Sequence, residues 1–319
     1  MLNPRVYRCV MFVPINNPRF VERAWTRGAD AYILDLEDSV PQSEKEKARS
    51  LVRETIPKVA KGGAAIFCRI NHDYVEADLR AAVWPGLVRI ILPKTENAEE
   101  MKRCADLLTE LEKERGIPVG SIEITPLIES ALGAANGYEI AAATPRCRTS
   151  RGGAGYDMAV DLGIEMFAPF DQYAYSEALP TLAQMACGIE AGGSVFVPNV
   201  SGRADQSDQA VAQAKALHDN FIYEATVLHP ALVKPLVTGL TPTAEDVFTS
   251  KKTVEVYEKL AQDGESVTQL DGKTIDVYEF NRALKLLAWA EKCAVKDAFK
   301  ERSAARVEAE EKLQGRTNA

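Results

Sequence analysis

The chain has 319 residues, of which 46% are hydrophobic and 26% are charged, which is the composition of a folded globular protein. This composition excludes disorder and collagen, and the length fits either two ordinary domains or one large barrel with an appendage. Lysine and arginine number 38 against 46 aspartate and glutamate residues, which gives a formal net charge of −8. We therefore expect no nucleic-acid partner, because a phosphate backbone is bound by broad basic surfaces.

The cysteines and the amino-terminal segment indicate where the protein resides. The six cysteines are scattered without a C-x-x-C pair, which argues against a zinc cage or a disulfide framework. The longest apolar stretch in the first twenty residues runs from Cys9 to Val13, too short for a signal peptide or a membrane span. We predict a cytoplasmic protein with no membrane partner.

Short apolar runs alternate with longer amphipathic stretches over the first 230 residues, a pattern typical of βα units around a parallel sheet. Eight such runs predict a closed (β/α)8 TIM barrel. The runs are residues 9–14, 31–38, 64–71, 87–94, 122–130, 147–155, 194–200 and 224–230, the sixth being the weakest. Helices are predicted at residues 18–27, 43–56, 97–115 and 205–217, the second with a capping box formed by Ser43 and Glu46.

A doubly wound open sheet is the alternative fold. No G-x-G-x-x-G motif follows the first run, so nothing in the sequence requires a dinucleotide crevice, and the barrel is favoured. Beyond residue 240 the pattern changes to a helix at 243–262, a hairpin turn at 270–273 and a long charged helix at 279–313. We predict a catalytic barrel over residues 1–240 and a helical and hairpin extension over 241–319 that makes oligomer contacts.

Polar residues gather where the predicted strands end, which in a barrel is the end that carries the active site. Each charge alone is compatible with a solvated strand terminus or a structural ion pair, but their number at one rim predicts a site. They are Asp35, Glu37, Asp38, Arg69, Asn71, Lys94, Glu129, Asp157 and His229.

Two of these carboxylates, Glu129 and Asp157, form the candidate metal pair. Carboxylates without a cluster of histidines or cysteines suit a hard cation such as Mg²⁺, which keeps coordination positions for water or substrate. The open positions would chelate a hydroxy acid or a 2-oxo acid, and Arg69 would grip a substrate oxygen in a bidentate fork.

The chain resembles the HpcH/HpaI aldolase and citrate lyase β-subunit family from Phe12 to about Ala290. Eight motifs carry the resemblance and follow one another in the order of the family. They are FVPINNPRF (12–20), GADAYILDLEDSVP (28–41), CRIN (68–71), ILPKTEN (91–97), LIESALG (127–133), DMAVDLG (157–163), LHPALVKP (228–235) and LDGKTID (270–276).

The resemblance implies a Mg²⁺-dependent carbon–carbon lyase. Its substrate would be a short β-hydroxyacyl-CoA, such as malyl-CoA, citramalyl-CoA or citryl-CoA, cleaved to a 2-oxo acid and an acyl-CoA. It also implies a homo-oligomer, a trimer or hexamer, because Asp276 matches the aspartate that a neighbouring subunit offers to the site in related lyases. With the strand-end positions, this assigns Glu129 and Asp157 to the metal, Arg69, Glu37 and Asp276 to catalysis, and Arg19, Lys94 and Asn71 to substrate binding.

Three departures from the family pattern leave other functions open. The family has a Glu-Asp pair where this chain has Tyr156 and Asp157, Arg151 enters a strand that is normally apolar, and VFVPNVSG (195–202) replaces an aspartate-bearing segment. One alternative is a free-acid aldolase that uses no thioester. Another is a non-catalytic or accessory subunit that binds a CoA metabolite within a larger complex.

Overall fold

The computed structural model describes residues 3–153, 155–165, 173–195, 197, 200, 204–220 and 222–317. In these residues eight parallel strands follow one another around a closed barrel, and the last is hydrogen-bonded to the first. This confirms the predicted (β/α)8 TIM barrel and excludes the open sheet. The strands are β1 (Cys9–Pro14), β2 (Ala31–Asp35), β3 (Ala65–Arg69), β4 (Leu87–Leu92), β5 (Glu123–Ile128), β6 (Thr149–Gly152), β7 (Glu190–Ser194) and β8 (Glu224–Val227).

Helices connect successive strands, as the alternating pattern predicts. The predicted helices at 18–27, 43–56, 97–115 and 205–217 are confirmed with small shifts at their ends, whereas the sequence pattern does not indicate α3, α5 to α8 or α10. The helices of the barrel are α1 (Pro18–Ala24), α2 (Lys45–Ala60), α3 (Val75–Ala82), α4 (Ala98–Glu114), α5 (Ala131–Ala135), α6 (Gly137–Ala142), α7 (Tyr156–Leu162), α8 (Ala174–Ala186), α9 (Ala204–Asp219) and α10 (Val233–Leu240).

The apolar core has two layers because successive side chains of a strand point to opposite faces. Val10, Ile33 and Phe67 belong to a small buried cluster in which every second strand residue takes part, which places it inside the barrel. The intervening residues, such as Leu34, pack with helix residues such as Ile56 in a larger cluster around the outside. Burial on both faces explains why the strands read as continuous apolar runs.

The predicted capping box at Ser43 is wrong. A short 3₁₀ helix, Gln42–Glu44, precedes α2, which begins at Lys45 without a side-chain hydrogen bond at its cap. The ammonium of Lys45 instead donates to the backbone oxygens of Leu36 and Glu37 at 2.8 and 2.7 Å. The start of α2 is therefore fixed by a tertiary contact with the end of β2.

The prediction of the seventh strand at residues 194–200 is also wrong. The strand is the glycine-rich segment Glu190–Ser194, and residues 196, 198 and 199 lie outside the described part of the chain. A Cβ on Gly192 would stand 2.6 Å from Cγ of Arg151 on the neighbouring strand. The space needed by that side chain, rather than β propensity, selects the glycine segment for the barrel.

The chain after the barrel forms α11 (Ala244–Gln262), a hairpin of β9 (Thr268–Leu270) and β10 (Lys273–Ile275), and α12 (Val277–Thr317). The predicted hairpin is confirmed, with Asp271 and Gly272 at φ 51° and 82°, the conformation of a two-residue hairpin turn. The two helices are confirmed as well. Their treatment as a separate extension from residue 241 stays a prediction.

Helix α12 crosses the end of the barrel at which the strands begin, opposite to the end formed by their carboxyl termini. Its Asp297 accepts a hydrogen bond of 3.0 Å from Nη1 of Arg8, which immediately precedes β1. Its Lys300 donates to the backbone oxygen of Gly28, ahead of β2, at 2.9 Å. These contacts close the amino-terminal end of the barrel and leave the other end to the βα loops.

The cysteines carry no cross-links. All six are free, and only Cys187 is partly exposed. Within the described residues, no helix combines the length and the apolar character needed to cross a lipid bilayer.

Lys296 on α12 is buried, and we expect it to make stability depend on pH. Burial lowers the pKa of its ammonium from an ordinary 10.5 to about 8. Between these values the unfolded chain binds a proton that the folded chain lacks, so the free energy of unfolding rises with pH. Because Lys296→Met removes this rise, the stability of the variant relative to the parent is expected to fall by about 3 kcal/mol from roughly pH 7 to pH 10.5.

Urea unfolding of the two proteins across this pH range measures the difference. Lys292→Met, an exposed lysine on the same helix, is the matched control and is expected to show no such trend. A Lys296→Met difference that stays constant with pH would contradict the prediction.

Candidate active site

A cavity of about 450 Å³ opens at the carboxyl ends of the strands. In a TIM barrel the βα loops converge at this end, and catalytic groups come from several strands. Arg69, Glu129 and Asp157, three of the residues assigned from the sequence, all line it. The other polar residues of its lining are Asp35, Asp38, Ser39, Arg151, Tyr156, Ser194 and Thr226.

Arg69, the last residue of β3, is buried and held by carboxylates. Its Nε and Nη2 donate to the two oxygens of Asp35 at 2.7 Å each, in a bidentate fork. Its Nη1 donates to Asp38 at 2.9 Å and lies 2.8 Å from Oε2 of Glu37. Every nitrogen of this guanidinium therefore faces a carboxylate, which fixes its position at the rim of the cavity.

Asp35 is the principal anchor of Arg69. Its carboxylate also accepts hydrogen bonds from the backbone nitrogen of Glu37 at 3.0 Å and from Oγ of Ser39 at 2.6 Å. Although burial opposes the charged form, the bonds from Arg69 and Ser39 lower the pKa of Asp35. Asp35 is therefore an ionised partner of Arg69, and its hydrogen bonds with Glu37 and Ser39 hold the turn after β2.

Glu37 lies behind Arg69 rather than on the cavity wall. It is buried, and no described group donates a hydrogen bond to its Oε2. Burial, with the nearby Asp38 and Glu129 carboxylates, raises its pKa to about 8 despite the opposing charge of Arg69. Glu37 therefore holds its proton more readily than an ordinary glutamate, and the negative charge that faces Arg69 comes chiefly from Asp35 and Asp38.

Glu129 follows β5, Asp157 lies in the first turn of α7, and Lys94 links the two. The backbone nitrogen of Lys94 donates to Oε2 of Glu129 at 3.1 Å, and its Nζ lies 3.4 Å from Oδ1 of Asp157. Lys94 has a φ of 51°, rare for a lysine, which brings both of its nitrogens to the acidic pair. Burial and then the charge of Asp157 raise the pKa of Glu129, although the Lys94 hydrogen bond opposes this.

This pair has the donors that a hard divalent cation prefers. Mg²⁺ usually binds one or two protein carboxylates and completes its shell with water and substrate oxygens. Among the described residues, no three or more His, Cys, Asp or Glu side chains are grouped to hold a metal ion. Glu129 and Asp157 therefore fit an ion that is only partly enclosed by protein.

Arg19 lies outside this cavity, at the start of α1. It lines a neighbouring cavity of about 340 Å³ together with Arg23, Arg27 and His229. The two cavities share Phe12, Pro14 and Leu228 in their walls. Arg19 is thus next to the candidate site but is not brought together with the acidic pair.

Asn71 and Asp276 are not brought to the cavity in this chain. The amide nitrogen of Asn71 donates to Asp78 at 2.6 Å and to the backbone oxygen of Leu36, and its oxygen accepts from Lys45. In these bonds the amide joins neighbouring segments of the chain, so they give no support to a contact with substrate. Asp276 caps α12 by accepting from the backbone nitrogens of residues 278 and 279 at 2.9 and 3.0 Å.

Two further residues of the cavity, Asp35 and Arg151, have no assigned role in the sequence-based prediction. Asp35 was recognised as a strand-end charge, but its pairing with Arg69 depends on the parallel register of β2 and β3, in which the two residues are opposite each other. Arg151 stands out in the sequence as a charge within a strand. It is buried in the barrel, where it contacts Glu224 of β8.

The chain is similar to proteins of a known family. The family model for HpcH/HpaI aldolase/citrate lyase matches residues 8–228. The chain belongs to this family. Membership confirms the resemblance drawn from the eight motifs, and with it the prediction that the protein is a lyase.

Two curated relatives match nearly the whole chain. The citrate lyase subunit beta of Leuconostoc mesenteroides subsp. cremoris is 31% identical over 292 residues, covering 90% of this chain and 95% of that protein. A (3S)-malyl-CoA thioesterase of Cereibacter sphaeroides is 27% identical over 291 residues, with coverages of 90% and 96%. The chain is thus similar to relatives whose names indicate different activities.

Solved structures show the same fold. CitE from Mycobacterium tuberculosis, in complex with magnesium, acetoacetate and coenzyme A, gives a TM-score of 0.70 at 21% identity, covering 90% of this chain and 99% of that one. A citrate lyase from Burkholderia xenovorans LB400 gives a TM-score of 0.72 at 16% identity, with coverages of 93% and 96%. At identities of 21% and 16%, this likeness shows that the fold is shared and nothing more.

Proposed function

We propose that this protein is a Mg²⁺-dependent carbon–carbon lyase that cleaves a short β-hydroxyacyl-CoA to a 2-oxo acid and an acyl-CoA. The observation that carries the proposal is the convergence of Arg69, Glu129 and Asp157 on one cavity. Magnesium and coenzyme A in the M. tuberculosis CitE complex support the choice of cofactor and substrate class. The acyl group is left open among the malyl, citramalyl and citryl esters.

In the proposed reaction a base removes the proton of the 3-hydroxyl group. The adjacent C–C bond then breaks to release the 2-oxo acid, and the remaining thioester enolate is protonated at carbon. Glu129 and Asp157 would hold the cation, which when bound polarises the hydroxyl and carboxylate oxygens of the substrate. Arg69, positioned by Asp35, would stabilise the negative charge that develops on oxygen.

The arginine-lined cavity supports a thioester over a free acid. Arg19, Arg23 and Arg27 are exposed around it, and it adjoins the main cavity. Guanidinium groups bind phosphate oxygens in bidentate pairs, so this cavity would take the phosphates of coenzyme A. The acyl end of the same molecule would then enter the main cavity.

Removal of one of these arginines is expected to weaken thioester binding without affecting the chemical step. Arg19→Gln should raise KM for the CoA ester about tenfold, because a hydrogen bond to a charged group contributes roughly 1.5 kcal/mol. Steady-state kinetics should show kcat unchanged. Arg80→Gln, an exposed arginine on α3, is the matched control. An unchanged KM in Arg19→Gln would exclude the contact.

We assign Asp276 to the site of a second copy of the chain, where it would act as the base. Asp276 does not line the cavity of its own chain, and its carboxylate caps α12. Exposed apolar side chains on α7 and α8, such as Val160, Tyr175 and Leu182, offer a surface for subunit contact. A trimer or hexamer is the proposed assembly.

Mixed oligomers test this assignment. Asp276→Asn keeps a cap acceptor but loses the charge, so the variant is expected to fold and to be inactive. Oligomers re-formed from equal amounts of Asp276→Asn and Glu129→Gln chains should regain about one quarter of parental activity by random pairing across a head-to-tail interface. Mixtures that stay inactive would show that Asp276 does not act from a second subunit.

The proposed function is tested by incubating the purified protein with malyl-CoA, citramalyl-CoA and citryl-CoA in the presence of Mg²⁺. We expect one of them to yield a 2-oxo acid and an acyl-CoA in equal amounts, with no turnover of the matching free acid. Turnover of the free acid would indicate the aldolase alternative, and release of free thiol without a 2-oxo acid would indicate thioester hydrolysis. No product from any ester, with the fold intact, would refute the proposal.

An accessory role is the second candidate. It is favoured by the relatives named as citrate lyase subunit beta, a name that places them within a larger enzyme, and by Tyr156 in place of the family glutamate. Calorimetry that detects CoA-ester binding without turnover, and equal binding by Glu129→Gln, would favour this role over the enzyme.

A further inference from the structure

Two guanidinium groups line the main cavity, and they differ in how they are partnered. Each nitrogen of Arg69 faces a carboxylate of its own chain. Arg151 uses only Nη2, which contacts Glu224, and no described group accepts a hydrogen bond from its Nε or Nη1. Arg151 is 3% exposed, so bulk water does not replace those bonds.

Arg151 also shares its carboxylate partner with another arginine. Glu224 accepts through the same Oε1 from Arg151 and from Arg89, at 2.6 Å in the second case. Arg89 has a second partner in Glu123 at 2.8 Å. Arg151 has none among the described residues. Buried guanidinium donors without acceptors are costly, and a ligand oxygen would relieve this cost.

The position of Arg151 places it beneath the acidic pair. Leu127 of β5 lies opposite Arg151 in the strand register, and Glu129 is two residues further toward the cavity mouth. Two residues along a strand correspond to about 6.6 Å, one inward-facing layer of the barrel. Ser194 and Thr226, whose hydroxyl oxygens are 2.8 Å apart, also line the cavity.

Gly192 shows that the barrel is shaped to hold this side chain. Because Gly192 has no Cβ, the space is taken by Cγ and Nε of Arg151, which would lie 2.6 and 3.1 Å from a methyl group at this position. The clash would involve the stem of the arginine rather than its mobile end. A substitution at Gly192 would therefore displace Arg151 without removing its charge.

We propose that Arg151 binds a second carboxylate of the substrate, so that the enzyme is selective for a hydroxyacyl ester that yields a dicarboxylic 2-oxo acid. This inference rests on the proposed function, because it takes the first carboxylate to be held at Glu129 and Asp157 through the cation. A four-carbon diacid bound there would extend one carboxylate toward the layer of Arg151. A substrate with a methyl group or hydrogen at that end would leave the donors unpartnered.

The test compares two ligands that differ at one end. Malate and 2-hydroxybutyrate share a hydroxy acid head and end in a carboxylate and a methyl group, respectively. Calorimetry of the full chain in Mg²⁺ is expected to show at least about thirtyfold tighter binding of malate, the effect of one charge-assisted bidentate contact. In Arg151→Gln this ratio should fall below about threefold, mainly through loss of malate affinity.

Three further variants keep the test decisive. Gly192→Ala should lower the ratio while retaining the arginine, and Arg151→Lys should give an intermediate ratio because it keeps the charge but loses the fork. Either variant decides the matter if Arg151→Gln does not fold. Arg148→Gln removes an exposed arginine just before the same strand and should leave the ratio unchanged.

The outcomes separate this inference from the proposed function. Equal Mg²⁺-dependent binding of both ligands, or a high ratio that survives in Arg151→Gln and Gly192→Ala, would overturn the role of Arg151 alone. No binding of either ligand at millimolar concentration in Mg²⁺ would overturn both the role of Arg151 and the metal-dependent hydroxy acid site.

Discussion

Glu129→Gln is expected to leave the protein folded and to remove its activity. The charge on Glu129 is disfavoured by burial and by Asp157, which together raise its pKa. A neutral glutamine of the same shape can still accept the 3.1 Å hydrogen bond from the backbone nitrogen of Lys94. The free energy of unfolding should therefore be equal to or above that of the parent protein.

The same substitution takes a charged ligand from the proposed metal pair. We expect kcat/KM for the CoA ester to fall by at least about 10²- to 10³-fold, the scale of loss seen when one preorganised electrostatic group is removed. Asp157→Asn is expected to lower kcat/KM for the CoA ester by a similar factor. Glu139→Gln, an exposed glutamate on α6, is the control for loss of a negative charge. Full activity in Glu129→Gln would place the chemistry elsewhere.

Arg69→Met is expected to be the most destabilising single change at the site. The buried guanidinium lies 2.7 to 2.9 Å from carboxylate oxygens of Asp35, Glu37 and Asp38. Its removal leaves the buried, ionised Asp35 without its partner, which typically costs about 3–5 kcal/mol. Equilibrium unfolding in urea should show this loss. Arg80→Met, which breaks an exposed ion pair with Glu76, is expected to cost less than about 0.5 kcal/mol.

The pH dependence of Arg69→Met has a defined sign. In the parent, Arg69 holds the pKa of Asp35 below its ordinary value, so this pairing stabilises the fold above that value and is lost as the pH falls through the folded pKa. Without Arg69 the Asp35 carboxyl takes up a proton more readily, so the deficit should shrink as the pH falls toward the ordinary pKa of an aspartate. A double variant with Asp35→Asn should recover part of the loss. A deficit that is independent of pH would contradict this account.

The barrel is predictable because its decisive signals are local. AYILD, residues 31–35, is apolar throughout because both faces of a parallel strand are covered, and the charge at its end marks the rim. The seventh strand escapes this reasoning. Its sequence EAGGS has little β propensity, and it is chosen because Gly192 makes room for Arg151 of the adjacent strand. A contact across the barrel interior leaves no periodic pattern in the sequence.

The residues of the site are predictable where strand ends place them, and not where tertiary contacts decide their partners. Arg69, Glu129 and Asp157 come together because they stand at or after strand ends, and strand ends meet at one rim of a barrel. Asn71 stands there as well, yet its amide is used by Asp78, a residue whose position on α3 had no signal of its own. The spare donors of Arg151 depend on how Glu224 is shared with Arg89, which only the folded arrangement reveals.

The central claim is that Glu129 and Asp157 jointly hold one divalent cation beside Arg69. A crystal structure of the protein soaked with Mg²⁺ and a 2-oxo acid tests it most directly. We predict a single ion bound by carboxylate oxygens of both residues at about 2.1 Å, with the oxo acid completing its shell. An ion bound elsewhere, or either carboxylate turned away from it at saturating Mg²⁺, would contradict the claim.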